Sequence, residues 1–249
     1  MTIQHVPIIF DKARRAARSA RATQLGQRTH GATWLAQQME QDTIERLRFM
    51  LHKPARSLVI GPATGELAHW LDDSGSKVAF QDQLDEEKPL TSTAFDLITS
   101  INRLDTVNDL PGALIHLRGA LATDGLAIAH FLGAGSLTSL RQILLAADGD
   151  RAAARIHPQV DTRSATGLLQ RAGFSRQVVD SHTLKVRFSS FDRLIADLRE
   201  QALTGVLADQ PPPISKAGLA RARSAFDKLS DEDGKVTETF EILTMTGWR

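Results

Sequence analysis

The chain predicts an α/β domain built on a central, mostly parallel sheet, and three observations carry that expectation. Short apolar runs alternate with helical stretches along its 249 residues. One run, Leu58-Val59-Ile60, enters a glycine-punctuated turn, Gly61-Pro62-Ala63-Thr64-Gly65, and leaves it as a helix-like segment from Glu66. The last two runs, 178–188 and 236–248, flank helical sequence and are expected to pair antiparallel at one edge. A chain of this length buries a substantial core in one domain, here residues 1–249.

The elements follow in order. Residues 10–22 and 32–52 read as helices, the second with Trp34, Leu35, Met39, Ile44, Leu47, Met50 and Leu51 at near-helical spacing before Pro54 stops it. Together they form an N-terminal helical extension, 1–53. Residues 57–61 are a short buried strand, 66–71 a helix broken by Asp72-Asp73-Ser74-Gly75, and 77–81 a second strand. A polar loop spans 82–94, and Phe95-Asp96-Leu97-Ile98-Thr99-Ser100 is a third strand. Asp109 is placed to cap a helix that holds Pro111 in its first turn and runs to Leu121. Thr123-Asp124-Gly125 reads as a turn before an apolar strand, 126–132. Helices follow at 136–147 and 162–172, the latter closed by Gly173. A strand at 178–188, helices at 190–207 and 215–229 on either side of Pro211-Pro212-Pro213, and a strand at 236–248 complete the chain. The stretch 189–235 is thus a helical insertion before the last strand.

Composition narrows the function. Apolar residues are 42% and charged residues 24%, as in ordinary globular proteins. A net charge of +1 argues against a partner such as nucleic acid. The absence of Cys excludes disulfides, thiolate metal sites and a Cys nucleophile, and the absence of Tyr removes a phenolic acid. No apolar run approaches the roughly 20 residues of a membrane span. Residues 12–28 are rich in Arg, Ala, Ser and Gln without acids, as in a transit peptide or a basic surface helix.

The chemistry-bearing candidates cluster where strands end. The turn from Ile60 to Gly65 lets a ligand approach backbone closely and sets a helix N-terminus beside it; equally it is an ordinary strand-to-helix turn. Asp82, about 20 residues after that turn, is placed to accept both hydroxyls of a ribose, or is a solvated loop acid. Asp96 reads as a residue that orients a neighbouring loop. His130, near a strand end, is either a substrate contact or a hydrogen-bonded core residue. Arg141, His157, Asp161 and Arg163 flank the loop after the fourth strand and could read an anionic or guanidinium group, or be helix-end charges. Asp231-Glu232-Asp233-Gly234 lacks the Glu that a calcium loop needs at its twelfth position and reads as a turn, and no metal site is expected.

Several stretches resemble class I S-adenosylmethionine-dependent methyltransferases, in the branch that holds the malonyl-carrier methyltransferases and the complex I assembly factors. They are Ile9-Phe10-Asp11-Lys12, Phe95-Asp96-Leu97-Ile98, Val107-Asn108-Asp109-Leu110-Pro111-Gly112, Leu168-Leu169-Gln170-Arg171-Ala172-Gly173-Phe174, and the closing Thr246-Gly247-Trp248. The resemblance implies a Rossmann-like methyltransferase sheet with S-adenosylmethionine held by Ile60, Gly61, Pro62, Ala63, Gly65 and Asp82, and with the strand end from Ser100 to Asn102 facing the methyl donor. It implies a small-molecule or protein methyl acceptor, a respiratory complex I subunit among the options. An assembly factor without activity and a protein-arginine hydroxylase are its other implications. Because the likeness begins at Ile9, a bacterial cytoplasmic protein is expected, with the mitochondrial matrix as the alternative.

The chain departs from that family at the cofactor turn. Val59 stands where an acid is expected, and Ala63 where the middle glycine is expected. The segment between Gln81 and Phe95 is too short for the helix and strand usual there, so the sheet is expected to lack one edge strand. Arg103-Leu104-Asp105-Thr106 replaces the usual Leu-His-Trp. An open hollow between Ile60 and Glu66, not plugged by Pro62 or Leu84, is the expectation on which the transferase reading rests.

Overall fold

A computed structural model describes residues 6–29, 31–62 and 64–249, without the side chains of residues 28 and 29. Ala63 therefore lies outside the described residues. Among the described residues six strands form one sheet: β1 (Arg56–Ile60), β2 (Lys77–Gln81), β3 (Phe95–Ile101), β4 (Leu121–Leu132), β5 (Ser175–Phe188) and β6 (Val236–Trp248). Their spatial order is β2-β1-β3-β4-β6-β5. The pairs β1–β2, β1–β3 and β3–β4 are parallel, and β6 runs antiparallel to both β4 and β5. The antiparallel pair lies at one edge, as the sequence predicts, with the reversed strand one position in. Beyond β2 no further strand is added, and 82–94 crosses as a loop.

Among the described residues eight α-helices surround the sheet: α1 (Lys12–Thr29), α2 (Trp34–Phe49), α3 (Glu66–Asp73), α4 (Leu110–Ala120), α5 (Thr138–Asp148), α6 (Thr162–Arg171), α7 (Phe191–Glu200) and α8 (Lys216–Leu229). Strand alternation decides which face each side chain joins. Val59, Leu97, Leu126 and Ile128 pack with Ile44 and Leu47 of α2 and Leu67 and Leu71 of α3. Their neighbours Leu58, Ile60, Ile98 and Ala127 pack on the opposite face against α4 and α6. A third cluster joins Leu35 and Met39 of α2 to Leu132, Phe240 and Ile242 and to helices α5, α7 and α8.

The helix starts use the expected chemistry. The Asp109 carboxylate accepts from Gly112 N at 2.9 Å, and Asp161, Ser190 and Ser215 cap α6, α7 and α8 in the same way. Asp96 fulfils its expected orienting role, because its Oδ2 accepts from the backbone N–H of both Ala55 and Arg56. Several element boundaries differ from the sequence expectation, and the first helix, expected over 10–22, spans Lys12–Thr29. The helix expected over 190–207 stops at Glu200, since Ala202 takes a left-handed φ of 55° and Leu207 then bridges Phe10. β4 begins at Leu121 and absorbs 123–125, where the pairing with β3 shifts register. β5 starts at Ser175 for the same kind of reason, a register shift before Val178.

The loop that replaces the missing edge strand is tied down by charge. Glu86, whose side chain is 0% exposed, accepts from Arg15 Nη1 at 2.6 Å and Arg15 Nη2 at 2.8 Å, and from Arg103 Nε at 2.9 Å. Arg15 Nη2 also donates to the Arg103 carbonyl. One carboxylate thereby joins α1, the loop 82–94 and the segment after β3. Asn108 adds to the clamp: its Oδ1 accepts from Ile9 N and Phe10 N, while its own N–H donates to Glu87. Glu86→Ala leaves two guanidinium groups buried without their partner. Urea denaturation should therefore show about 3–5 kcal/mol less stability than wild type, and a loss below about 1 kcal/mol would mean the clamp is not the chief anchor.

A candidate cofactor cleft at the strand ends

The C-terminal ends of β1, β2 and β3 open into a cleft of about 330 Å³. Its floor is Pro62 and Thr64 after β1, Phe80 and Asp82 at the end of β2, and Asn102 after β3. Its roof is the small-residue face of α1 (Ser19, Ala22, Thr23, Gly26), the start of α2, and Glu200 to Ala202 after α7. The roof is latched to itself: Ala32 N donates to Glu200 and Leu35 N to the Gln201 side chain. Leu84 packs away from the cleft, against the α4 side of the core, so the expected hollow is open.

Gly61 is dictated by sterics. Its φ is 112°, and a Cβ there would lie 2.2 Å from the Ile101 carbonyl oxygen. The turn thus crosses the end of β3 in close contact, while Gly61 N donates to Gln81 O across β2. Gly65, with φ 97°, has open space around it and is required for conformation alone. Of the sequence-predicted residues, Pro62, Asp82 and Asn102 line the cleft together. Ile60 turns its side chain into the opposite core, and Ser100 is buried beneath the floor with its Oγ lacking a partner among the described residues.

Asn102 carries the most telling polar atom. It takes a left-handed φ of 48°, and its backbone N–H donates to the His130 carbonyl at 2.7 Å. Its buried side-chain oxygen has no hydrogen-bond partner among the described residues. A buried acceptor left idle beside a cleft is one that a ligand N–H would satisfy. Phe80, 51% exposed, stands two residues before Asp82 on the same strand face, so an aromatic surface and a carboxylate flank one another. Sequence reasoning passed over Phe80, although an aromatic residue at that spacing was the available signal.

It also passed over Glu40. This side chain, 0% exposed on α2, aims at the cofactor turn. Its Oε1 accepts from the Thr64 hydroxyl at 2.8 Å and from Thr64 N, and its Oε2 accepts from Leu67 N at 2.8 Å. The expectation that the α3 N-terminus offers its amides to a ligand is corrected for one of them: a protein carboxylate already holds Leu67 N. That carboxylate beside the turn disfavours an anion there. The signal lay in the stripe 36–40–43–47 of α2, where an acid falls on an otherwise inward face.

The remaining candidates lie elsewhere. His130 is a core residue, bonded to Thr43 at 2.8 Å and Thr244 at 3.1 Å. Burial, reinforced by the Arg46 cation, pushes its pKa down to about 3. His157 accepts from Val206 N and stacks edge-on against Phe10, and burial takes it to about 4. Arg141 and Arg163 are exposed, and Asp161 is a helix cap. Asp231 and Asp233 pair with Arg187 in a turn. Among the described residues no cluster of metal-ligating side chains occurs, and no helix is long and apolar enough to cross a membrane.

A sheet in this order, with a cleft over the ends of its first three strands, defines a methyltransferase-type α/β protein. Residues 33–179, more than half of the chain, match the methyltransferase-domain family, and the chain belongs to it. It is 30% identical over 170 residues to the zebrafish (Danio rerio) protein named arginine-hydroxylase NDUFAF5, mitochondrial, covering 66% of this chain and 53% of that one. To the malonyl-[acyl-carrier protein] O-methyltransferase of Gallionella capsiferriformans it is 27% identical over 165 residues, covering 66% and 56%. The match thus spans about half the length of those relatives. The crystal structure of Burkholderia thailandensis 1,6-didemethyltoxoflavin-N1-methyltransferase, with bound S-adenosylhomocysteine, shares the fold at a TM-score of 0.52 and 14% identity, over 98% of this chain and 93% of that one.

Two predictions follow from this geometry. Gly61→Ala forces a Cβ into the Ile101 carbonyl and should cost about 2 kcal/mol or more in urea denaturation; a variant as stable as wild type would show that the turn is not sterically dictated. The second concerns pH. An imidazole with an ordinary pKa of 6.5 when unfolded and about 4 when folded binds fewer protons in the folded state. Its stabilisation is complete above 6.5 and is lost as pH falls toward 4. Between pH 7 and pH 5 His157 accounts for a stability loss on the order of 2 kcal/mol. Denaturation of wild type and His157→Gln at the two pH values checks it, since the variant should lose that much less.

Proposed function

We propose that this chain, as one methyltransferase-like domain, binds S-adenosylmethionine in the cleft and transfers its methyl group to a small-molecule or protein acceptor. The observation that carries the reading is the charge pattern of the cleft. Asp82 and the idle Asn102 oxygen offer acceptors, Phe80 offers a flat apolar surface, and the Glu40 carboxylate already takes the Leu67 amide at the start of α3. Such a site suits a ligand with a diol, N–H donors and positive charge. The residues present therefore fit the cofactor. When bound, it supplies a methyl group made electrophilic by a sulfonium.

The chain's own contribution is positioning. Asp82 would accept ribose hydroxyls, Asn102 would accept an N–H, Phe80 would pack on a ring, and Gly61, Pro62 and Gly65 would let backbone close on the ligand. The α1 roof excludes water from the reacting atoms. No obligatory nucleophile is needed from the protein, because the acceptor is the nucleophile.

A second reading, a binding or assembly factor without chemistry, is favoured by one observation. Val59 is fully buried among apolar side chains, so β1 brings no carboxylate to the cleft. The names of the arginine-hydroxylase relatives and the complex I assembly-factor likeness make an arginine-bearing respiratory complex I subunit the protein partner of choice under either reading. Location follows that partner, in a bacterial cytoplasm or, alternatively, the mitochondrial matrix.

Titration calorimetry separates the readings. S-adenosylmethionine and S-adenosylhomocysteine should bind wild type with micromolar dissociation constants, about −8 kcal/mol. Asp82→Ala should weaken both at least about tenfold, as loss of charge-assisted hydrogen bonds does. No heat at millimolar ligand sinks the transferase assignment and leaves the scaffold.

A further inference from the structure

We propose that Glu40 is the positioning residue of the cofactor turn, a carboxylate delivered from α2 that holds the backbone between Gly61 and Leu67 in its ligand-ready shape. The inference rests on the reading of the cleft as a cofactor site and goes beyond it by assigning the turn's order to one side chain.

Two glycines at positive φ, Gly61 and Gly65, bound the turn, and among the described residues its anchors are few. Gly61 N reaches Gln81 O. The Thr64 N–H, the Thr64 hydroxyl and the Leu67 N–H all reach Glu40. Three donors thus converge on one group that can only accept. Thr64 lines the cleft on one side of the backbone, and the fully buried Glu40 holds it from the other. Elsewhere along α2 the fully inward positions are Leu35, Met39, Ile44 and Leu47, with Thr43 bonding back to its own helix at Met39 O. Packing alone gives no reason for an acid at position 40, whereas the three donors do.

A carboxylate is needed rather than a generic polar group. An amide at position 40 would keep one acceptor oxygen and turn an NH₂ group toward either Thr64 or Leu67, donor against donor. Glu40→Gln is therefore close to isosteric yet breaks the arrangement. Thr64→Val removes only the hydroxyl bond at an exposed position and leaves the core untouched. Glu40 touches the turn and does not line the cleft, so it acts on the ligand through Thr64.

The test combines calorimetry with S-adenosylhomocysteine and amide hydrogen exchange on wild type, Glu40→Gln, Thr64→Val and the double variant. Glu40→Gln should weaken binding at least about tenfold and Thr64→Val several-fold. The Thr64→Val effect should vanish in the Glu40→Gln background, because both act through one contact. Without ligand, Glu40→Gln should speed exchange at Thr64 and Leu67 by at least about tenfold while β1 and β3 amides stay protected. Unchanged affinity in folded Glu40→Gln, independent additive losses, or exchange raised equally across the domain would each overturn the proposal. If Glu40→Gln does not fold, the Thr64→Val variant decides alone: affinity equal to wild type overturns the proposal. Silence of wild type toward the ligand overturns the cofactor reading instead, and the exchange comparison still decides whether Glu40 orders the turn.

Discussion

The close passage of the turn after β1 against the end of β3 constrains what is built above the sheet. Gly61 passes so near the Ile101 carbonyl that no side chain fits between them, and the same residue donates across β2 to Gln81. The three strand ends are thereby locked at one height. Pro62, Asp82 and Asn102, which follow those ends, arrive around one hollow because of that lock. A larger residue at position 61 would push the turn off β3 and separate them. The cleft is thus a product of backbone packing first and of side-chain chemistry second.

The surroundings compensate for what the turn itself lacks. No acid stands on β1, and the loop 82–94 brings no strand to the edge. Two buried carboxylates from other elements take up the structural duties. Glu40 gathers the donors of the turn, and Glu86 draws α1 and the post-β3 segment onto the loop. Each is surrounded by donors or guanidinium groups, which is the condition under which a buried carboxylate remains tolerable.

The periodic signals made much of this architecture readable from the residues. Strand alternation places Val59 and Leu97 on one face and Leu58 and Ile98 on the other, and the capping residue Asp109 stands where spacing puts it. The short span between Gln81 and Phe95 announces the missing edge strand. What stayed hidden depends on contacts between residues distant in the chain. Glu40 meets a turn 24 residues away, and Arg15 meets Glu86 across 71. No local pattern marks such a pair. The end of α7 was illegible for the same reason, because the bridge from Leu207 to Phe10 overrides the helical preference of 201–207. His130, ambiguous as a letter, became a core residue only once Thr43 and Thr244 were seen on either side of it.

The latch between the roof and the segment after α7 bears on the order in which the protein is made. Arg18 donates to the Thr204 carbonyl, and the start of α2 hangs on Glu200 and Gln201. A ribosome releases α1 and the strands β1, β2 and β3 long before it reaches those positions. A nascent chain stopped short of residue 200 has the floor of the hollow and nothing to fasten its ceiling. The ceiling is consequently fastened only once four-fifths of the polypeptide has been synthesised, and a product truncated there also lacks β6, without which β5 has no neighbour in the sheet.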